Sequence, residues 1–159
     1  MKTYTLKYEQ YIDLPINDVF NFFSKPENLS LITPARLKFD ILTPVPLKMK
    51  EGQLVDYSLK IMYLIKLHWR TLITHYEKPY KFVDQQIKGP YTMWHHTHTF
   101  EEKDGGTLIR DDLKYAIPLG ILGRFVHALY IKHDIQSIFK YRQKILDDIF
   151  TEIKKQSGE

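Results

Sequence analysis

The chain has no cysteine among its 159 residues. No disulfide can cross-link it and no thiolate can hold a metal, which agrees with a reducing compartment; we expect a cytoplasmic protein. Long apolar runs are missing too. No segment approaches the ~18 apolar residues of a membrane span, and the start, MKTYTLKYEQYI, alternates where a signal peptide would have a continuous apolar stretch. Stable membrane insertion is therefore not expected. Charge of one sign is nowhere concentrated: the net charge of +4 comes from lysines and arginines scattered among acidic residues. That distribution gives no electrostatic footprint for nucleic acid, and no nucleic-acid motif is present. Repeats, low-complexity tracts and linkers are also absent, so residues 1–159 read as one domain, long enough to bury about two thirds of its unfolded surface.

What the chain has in excess is rings. Aromatic residues make up 14%, with 11 Tyr and 9 Phe, more than a core of this size needs and suited to a ring-lined cavity. The pattern along the chain is equally directional. Residues 3–12 alternate as a strand. The stretch DLPINDVFNFF then changes period, with Pro15 suiting a first helical turn and Ile16, Val19, Phe20 and Phe23 recurring at helical spacing. A second short helical turn through PENLSLI ends at Pro34. From about 37 to 117 the period is two, and the breaks at TPVPLKMKEG, EKPYK, KGPY and KDGG divide it into six strands: 37–43, 53–63, 65–77, 81–88, 91–102 and 106–117. After Pro118 and Gly120 a helical stripe returns through Leu129, Ile135, Ile138, Phe139, Ile145, Leu146, Ile149 and Ile153, with lysines and aspartates on the other faces. The expected fold is α+β: a seven-stranded curved antiparallel sheet gripping a long C-terminal helix, with two short helices between strands 1 and 2. The gap between sheet and helix is the candidate site.

Strand alternation sorts residues between gap and solvent. Val55, Tyr57, Leu59, Ile61 and Tyr63 share one inward face, with Asp56, Ser58 and Lys60 outward; Ile65, Leu67, Trp69, Thr71 and Ile73 share another, with Lys66, His68 and Arg70 outward. Of the seven histidines, three crowd GPYTMWHHTHTF, and alternation separates His95, facing out, from His96 and His98, facing in beside Trp94 and Phe100. In the last strand Asp111 falls inward with Leu113 and Tyr115. A two-residue turn at Asp104-Gly105 pairs Lys103 with Gly106, Phe100 with Ile109 and His98 with Asp111. A Gly105-Gly106 turn would instead set Asp111 against Phe100. A loop at 89–91 places Asp84 opposite His96. On this register Asp84, Gln86, His96, His98 and Asp111 form one polar cluster, with Thr71 and Tyr57 beside it and Trp69, Phe82, Trp94, Phe100, Leu113 and Tyr115 as apolar wall.

With these residues laid out, the chain resembles the START-like, or SRPBCC, superfamily of polyketide cyclases and dehydrases, lipid-transfer domains and aromatic-ligand carriers, and most closely an uncharacterised bacterial ligand-binding group within it. The stretches that carry the resemblance are LPINDVFNFFSKPENLSLITP, GQLVDYSL, WRTLI, PYKFVDQQIKGPYTMWHHTHTFE, GGTLIRDDLKYAIPLGILG and IFKYR. The resemblance implies a helix-grip fold and a hydrophobic cavity, though not one chemistry.

Three functions fit such a site. The first is binding or carriage of a hydrophobic small molecule, a lipid, isoprenoid or aromatic polyketide-like compound, by a monomer or weak homodimer. Transient membrane contact would then come from IPLGILGRF beside the opening, a segment that otherwise reads as a connecting loop. The second is a cofactor-free cyclase or dehydratase in which His98, oriented by Asp111, is the base and His96 with Asp84 the acid. The third is a metal held by His96, His98 and a carboxylate. Side chains two apart on a strand stand ~6–7 Å apart and no HExxH accompanies them, so no metal and no cofactor are expected. Binding is the preferred reading, because buried polar groups need partners whether or not they catalyse.

Overall fold

Alternation from Thr3 to Ile12 produces β1, and the change of period after it produces α1, Ile16–Phe23, which buries Ile16, Val19 and Phe20. The computed structural model describes residues 1–61 and 65–158. Two 3₁₀ turns follow, Pro26–Ser30 and Ala35–Leu37. The remaining strands are β2, Asp40–Ile41; β3, Leu54–Ile61; β4, Ile65–Glu77; β5, Lys81–Lys88; β6, Met93–Lys103; and β7, Gly106–Ala116. A helix begins as α2, Gly120–Val126, passes through a π turn at His127–Ile131 and continues as α3, Lys132–Ser157.

The sheet order is β1-β7-β6-β5-β4-β3-β2, every pairing antiparallel. Successive strands from β2 to β7 are neighbours, but β1 lies beside β7. The chain between β1 and β2 therefore has to cross from one edge of the sheet to the other, and α1 and the two 3₁₀ turns are that crossing. Seven strands and two short helices before β2 match the architecture read from the sequence.

Two boundaries and one facing differ. The strand expected at 37–43 shrinks to Asp40–Ile41, because the turn after Pro34 claims Ala35–Leu37 and Lys38 takes a left-handed backbone at φ 45°. Only two residues are left to pair with β3, opposite Ser58 and Tyr57. Ser58, expected outward, is buried, its short side chain set between His68 on β4 and Asp40 on β2. The segment 117–125, read as a loop, is mostly helix: Leu119 adopts φ 70° and Gly120 φ 52°, turning the chain at once into α2. Gly123 permits that turn, since a Cβ there would sit 2.0 Å from the Pro118 carbonyl oxygen. The inward placement of Tyr63 lies outside the described residues.

Two apolar clusters hold helix to sheet. One joins α1 to the C-terminal half of α3 through Val19, Phe20, Phe82, Phe100, Ile109, Leu146 and Phe150. The other joins the N-terminal half of α3 to the sheet through Leu113, Tyr115, Ile135 and Phe139. Phe20 packs edge-on to Phe82 and Phe100, with ring centroids 6.0 and 5.2 Å away. Along β6 the sequence Trp94, His96, His98, Phe100 runs from the second cluster to the first, and along α3 the sequence Phe139, Arg142, Leu146 does the same. Both elements thus carry polar groups where the apolar clusters part.

Candidate functional site

The turn between β6 and β7 fixes the register on which the site depends. Asp104 and Gly105 have φ of 50° and 83°, the pair of positive values that a two-residue hairpin turn requires. Lys103 then pairs with Gly106, Phe100 with Ile109 and His98 with Asp111. Across β5, Asp84 pairs with His96. Both alignments are those read from the Asp-Gly turn and the loop at 89–91, so two carboxylates and two imidazoles from three strands meet on one face.

Their hydrogen bonds run along diagonals. His98 Nε2 lies 2.9 Å from Asp84 Oδ2, and His96 Nε2 lies 3.1 Å from Asp111 Oδ1. The directly opposite contacts are His98 Nδ1 to Asp111 Oδ1 at 2.7 Å and His96 Nδ1 to Asp84 Oδ2 at 3.7 Å. The first is short enough for an ion pair, yet it is off the line a hydrogen bond needs, and Nδ1 has no hydrogen-bond partner. The expected partners are therefore all present, but His98 bridges both carboxylates, and the simple pairing of His98 with Asp111 and His96 with Asp84 is replaced by a square. The imidazole rings lie 3.8 Å apart between centroids.

Burial would push the His98 pKa down, but Asp111 and Asp84 together outweigh it and hold the imidazole up at about 9. His96 goes the other way: burial and the charge on its neighbour His98 press its pKa below the usual histidine value, against the pull of Asp111 and Asp84. Burial would raise both carboxylates, and the histidines override it, so Asp84 and Asp111 are held below the usual carboxylate range. Near neutral pH the square contains two carboxylates, one imidazolium and one neutral imidazole. The donor atoms of Asp84, His96 and His98 lie within 4.8 Å of one another, a spacing a cation could use.

A cavity of about 190 Å³ lies between this square, α3 and the crossing segment. Eight of the residues placed at the site from sequence line it: Tyr57, Trp69, Thr71, Phe82, Asp84, Trp94, His96 and His98. Asp111 stands behind the histidines, in the square but off the wall. Gln86, Phe100, Leu113 and Tyr115 are also off the wall. The Gln86 amide donates to the Tyr91 carbonyl at 2.8 Å and holds the β5–β6 turn. Phe100 is taken up by Phe20, Phe23 and Phe82, and Leu113 is buried under α3. The Tyr115 hydroxyl meets His127 Nε2 at 2.8 Å, and His127 stacks on Tyr4. An inward-facing residue packs against the helix wherever the helix touches the sheet, and the sheet's share of the wall comes from β3 to β6.

Other lining residues had no signal in strand alternation. Phe22, Phe23, Leu29, Ile32, Leu37 and Phe39 come from the crossing segment, and Asp134, Ile135, Ile138 and Arg142 from α3. Lys25, Asn28 and Thr33 put the rim at that segment, whereas 117–125, expected beside the opening, contributes nothing to the wall. Its apolar side chains Leu119, Ile121, Leu122 and Phe125 are exposed around the start of α2. The rim is latched by Arg36, which pairs with Asp134 at 2.7 Å and donates to the Ser137 hydroxyl at 2.8 Å. Arg142 did have a signal: it sits on the helix stripe, three residues after Phe139 and four before Leu146, where the pattern calls for an apolar side chain.

No protein-family model matches the sequence, and no curated protein matches it by sequence comparison. Solved structures do match. The di-domain ARO/CYC StfQ from the steffimycin biosynthetic pathway superposes with a TM-score of 0.72 at 13% identity, over 96% of this chain and 52% of that one. The present chain spans about half of that di-domain protein. Protein Ms6760 from Mycobacterium smegmatis gives 0.65 at 18% identity over 94% and 92%, and Ara h 8.0201 gives 0.57 at 15% over 91% and 99%. The chain shares their fold, a helix grip of a seven-stranded antiparallel sheet on a long C-terminal helix. Among the described residues of this helix-grip protein, no helix is long and apolar enough to cross a membrane.

Proposed function

We propose that this single-domain protein binds or carries a hydrophobic small molecule, of the lipid, isoprenoid or aromatic polyketide-like kind, in the cavity between α3 and the sheet. The observation that carries the reading is the composition of the wall: rings and aliphatic side chains surround one buried polar row, the arrangement in which area supplies affinity and a few polar groups fix orientation. The volume adds a limit. An apolar cavity of about 150 Å³ accommodates benzene, so about 190 Å³ suits one ring system or a short chain, and a longer molecule would extend past the rim at Lys25, Asn28 and Thr33.

Both tryptophans of the chain, Trp69 and Trp94, line the cavity, which makes intrinsic fluorescence a direct reporter. Titration with hydrophobic molecules of increasing size should give saturable quenching in the wild type and weaker binding, most of all of the larger molecules, in Ile138→Phe, whose larger side chain narrows the space. Equal quenching in both proteins would remove the cavity from the account.

An acid/base enzyme of cyclase or dehydratase type is the second reading, favoured by the two histidines with pKa values driven apart. Such separation is how one site supplies an acid and a base at one pH. The directions support His98 as the proton donor and His96 as the base, the reverse of the assignment made from sequence. His96→Gln would then abolish turnover while leaving ligand affinity within a few-fold; loss of affinity with no turnover in the wild type would favour the binder.

A further inference from the structure

The aspartates and histidines of the square face one another as ion pairs, but the cation above them has no such partner. Arg142 projects from the buried stripe of α3 into the cavity wall. Its Nε is sealed from solvent with no hydrogen-bond partner, and among the described residues its guanidinium makes no ion pair. Its one close partner is the face of Phe139, 5.1 Å from ring centroid to guanidinium carbon. Asp84 and Asp111 act on it through space, with no ion pair between them and the guanidinium. An arginine remains charged in any such setting, and leaving a sealed donor such as its Nε unpaired is costly. The side chain is long enough to reach water from many helix positions, yet here it is held on the apolar stripe and aimed into the site.

Resting on the carriage reading above, we propose that the natural ligand is a compact hydrophobic carboxylate, a ring-sized aryl or arylalkyl acid, whose carboxylate is received by Arg142. The planar guanidinium fork matches a carboxylate with two parallel hydrogen bonds, a fit that a neutral carbonyl or hydroxyl does not reproduce. The apolar body lies against Trp69, Trp94, Tyr57 and Phe82, and the volume of about 190 Å³ sets the ring-scale size. The polar row of the sheet has no such capacity to spare. His98 already faces both carboxylates, so a ligand anion approaching the sheet would meet Asp84, whereas one approaching α3 meets an unshared cation.

The test uses 2-naphthoate and its uncharged isostere 2-naphthamide, read by tryptophan quenching in the wild type, Arg142→Gln and Arg142→Lys, with circular dichroism confirming that each variant is folded. The wild type should bind naphthoate about tenfold or more tighter than naphthamide, the discrimination expected when a charge-assisted pair is lost. Arg142→Gln should erase that preference while binding naphthamide within threefold of wild type, and Arg142→Lys should keep part of it. Equal binding of the two probes by the wild type overturns the proposal. A preference that survives Arg142→Gln also overturns it, and would place the anion at Lys25 on the rim. A neutral molecule co-purifying in the cavity overturns the carboxylate while leaving carriage intact. Failure of both probes together with a cavity that is empty on purification overturns the carriage reading itself.

Discussion

Replacing His98 by glutamine removes the only imidazolium between two buried carboxylates, and the consequence can be worked out from the distances. His98 is buried and stands 2.9 Å from Asp84 and 2.7 Å from Asp111. Breaking a buried ion pair by deleting one partner costs about 3–5 kcal/mol, because the other charge is left uncompensated. Such a loss is a large share of a domain's typical stability of about 5–15 kcal/mol. For a chain of this size about 1 kcal/mol moves Tm by roughly 2–4 °C, so H98Q should melt roughly 6–20 °C below the wild type at pH 7. The sign of the pH dependence adds a second check. A folded-state pKa raised to about 9 from an ordinary 6.5 contributes stability that is fully present below pH 6.5 and lost as pH rises through about 9. Wild-type stability should therefore fall between pH 6.5 and 9, and H98Q should lack that fall. The variant should instead recover at pH 5, where one of the two carboxylates can take a proton in place of the missing imidazolium. Thermal melts by circular dichroism from pH 5 to 9 read both effects. A Tm within 3 °C of wild type, or an unchanged pH profile, would refute the charged bridge.

Two further perturbations probe other parts of the structure. Phe20→Ala empties a fully buried site among Phe82, Phe100 and Tyr76 and should cost about 3–5 kcal/mol in urea denaturation; a loss below 1 kcal/mol would mean that α1 does not anchor the crossing segment. Arg36→Ala cuts the latch to Asp134 and Ser137. Its stability cost should stay at or below about 1 kcal/mol, as for other partly exposed pairs, while stopped-flow quenching should show ligand both entering and leaving faster. Unchanged rates would show that the rim at the crossing segment is not the way in.

Much of this architecture is legible in the sequence because period-two alternation is a direct record of which side chains share a face. Trp94, His96, His98 and Phe100 were placed together from spacing alone, and the Asp104-Gly105 turn carried Asp111 to His98 because only certain residues tolerate two positive φ values. Alternation is blind, however, to what covers a face. Phe100, Leu113 and Tyr115 point inward as read, and α1 and α3 rest on them, so the wall of the cavity is shorter than the inward face of the sheet. The exchange of hydrogen-bond partners within the square has a similar origin: imidazole and carboxylate are long enough to reach diagonally as well as straight across, and Cα register does not choose between the two. The apolar character of IPLGILGRF does not say whether that segment lines the cavity, and none of its residues does. Arg142 is legible, since a charged residue on an otherwise apolar helical stripe is itself the signal.

Native mass spectrometry of the gently purified protein tests the central claim most directly. The account predicts a species heavier than the bare chain by one small molecule, released on activation and depleted in Ile138→Phe. A bare chain in both proteins, with no quenching of Trp69 and Trp94 by any hydrophobic probe, would contradict it.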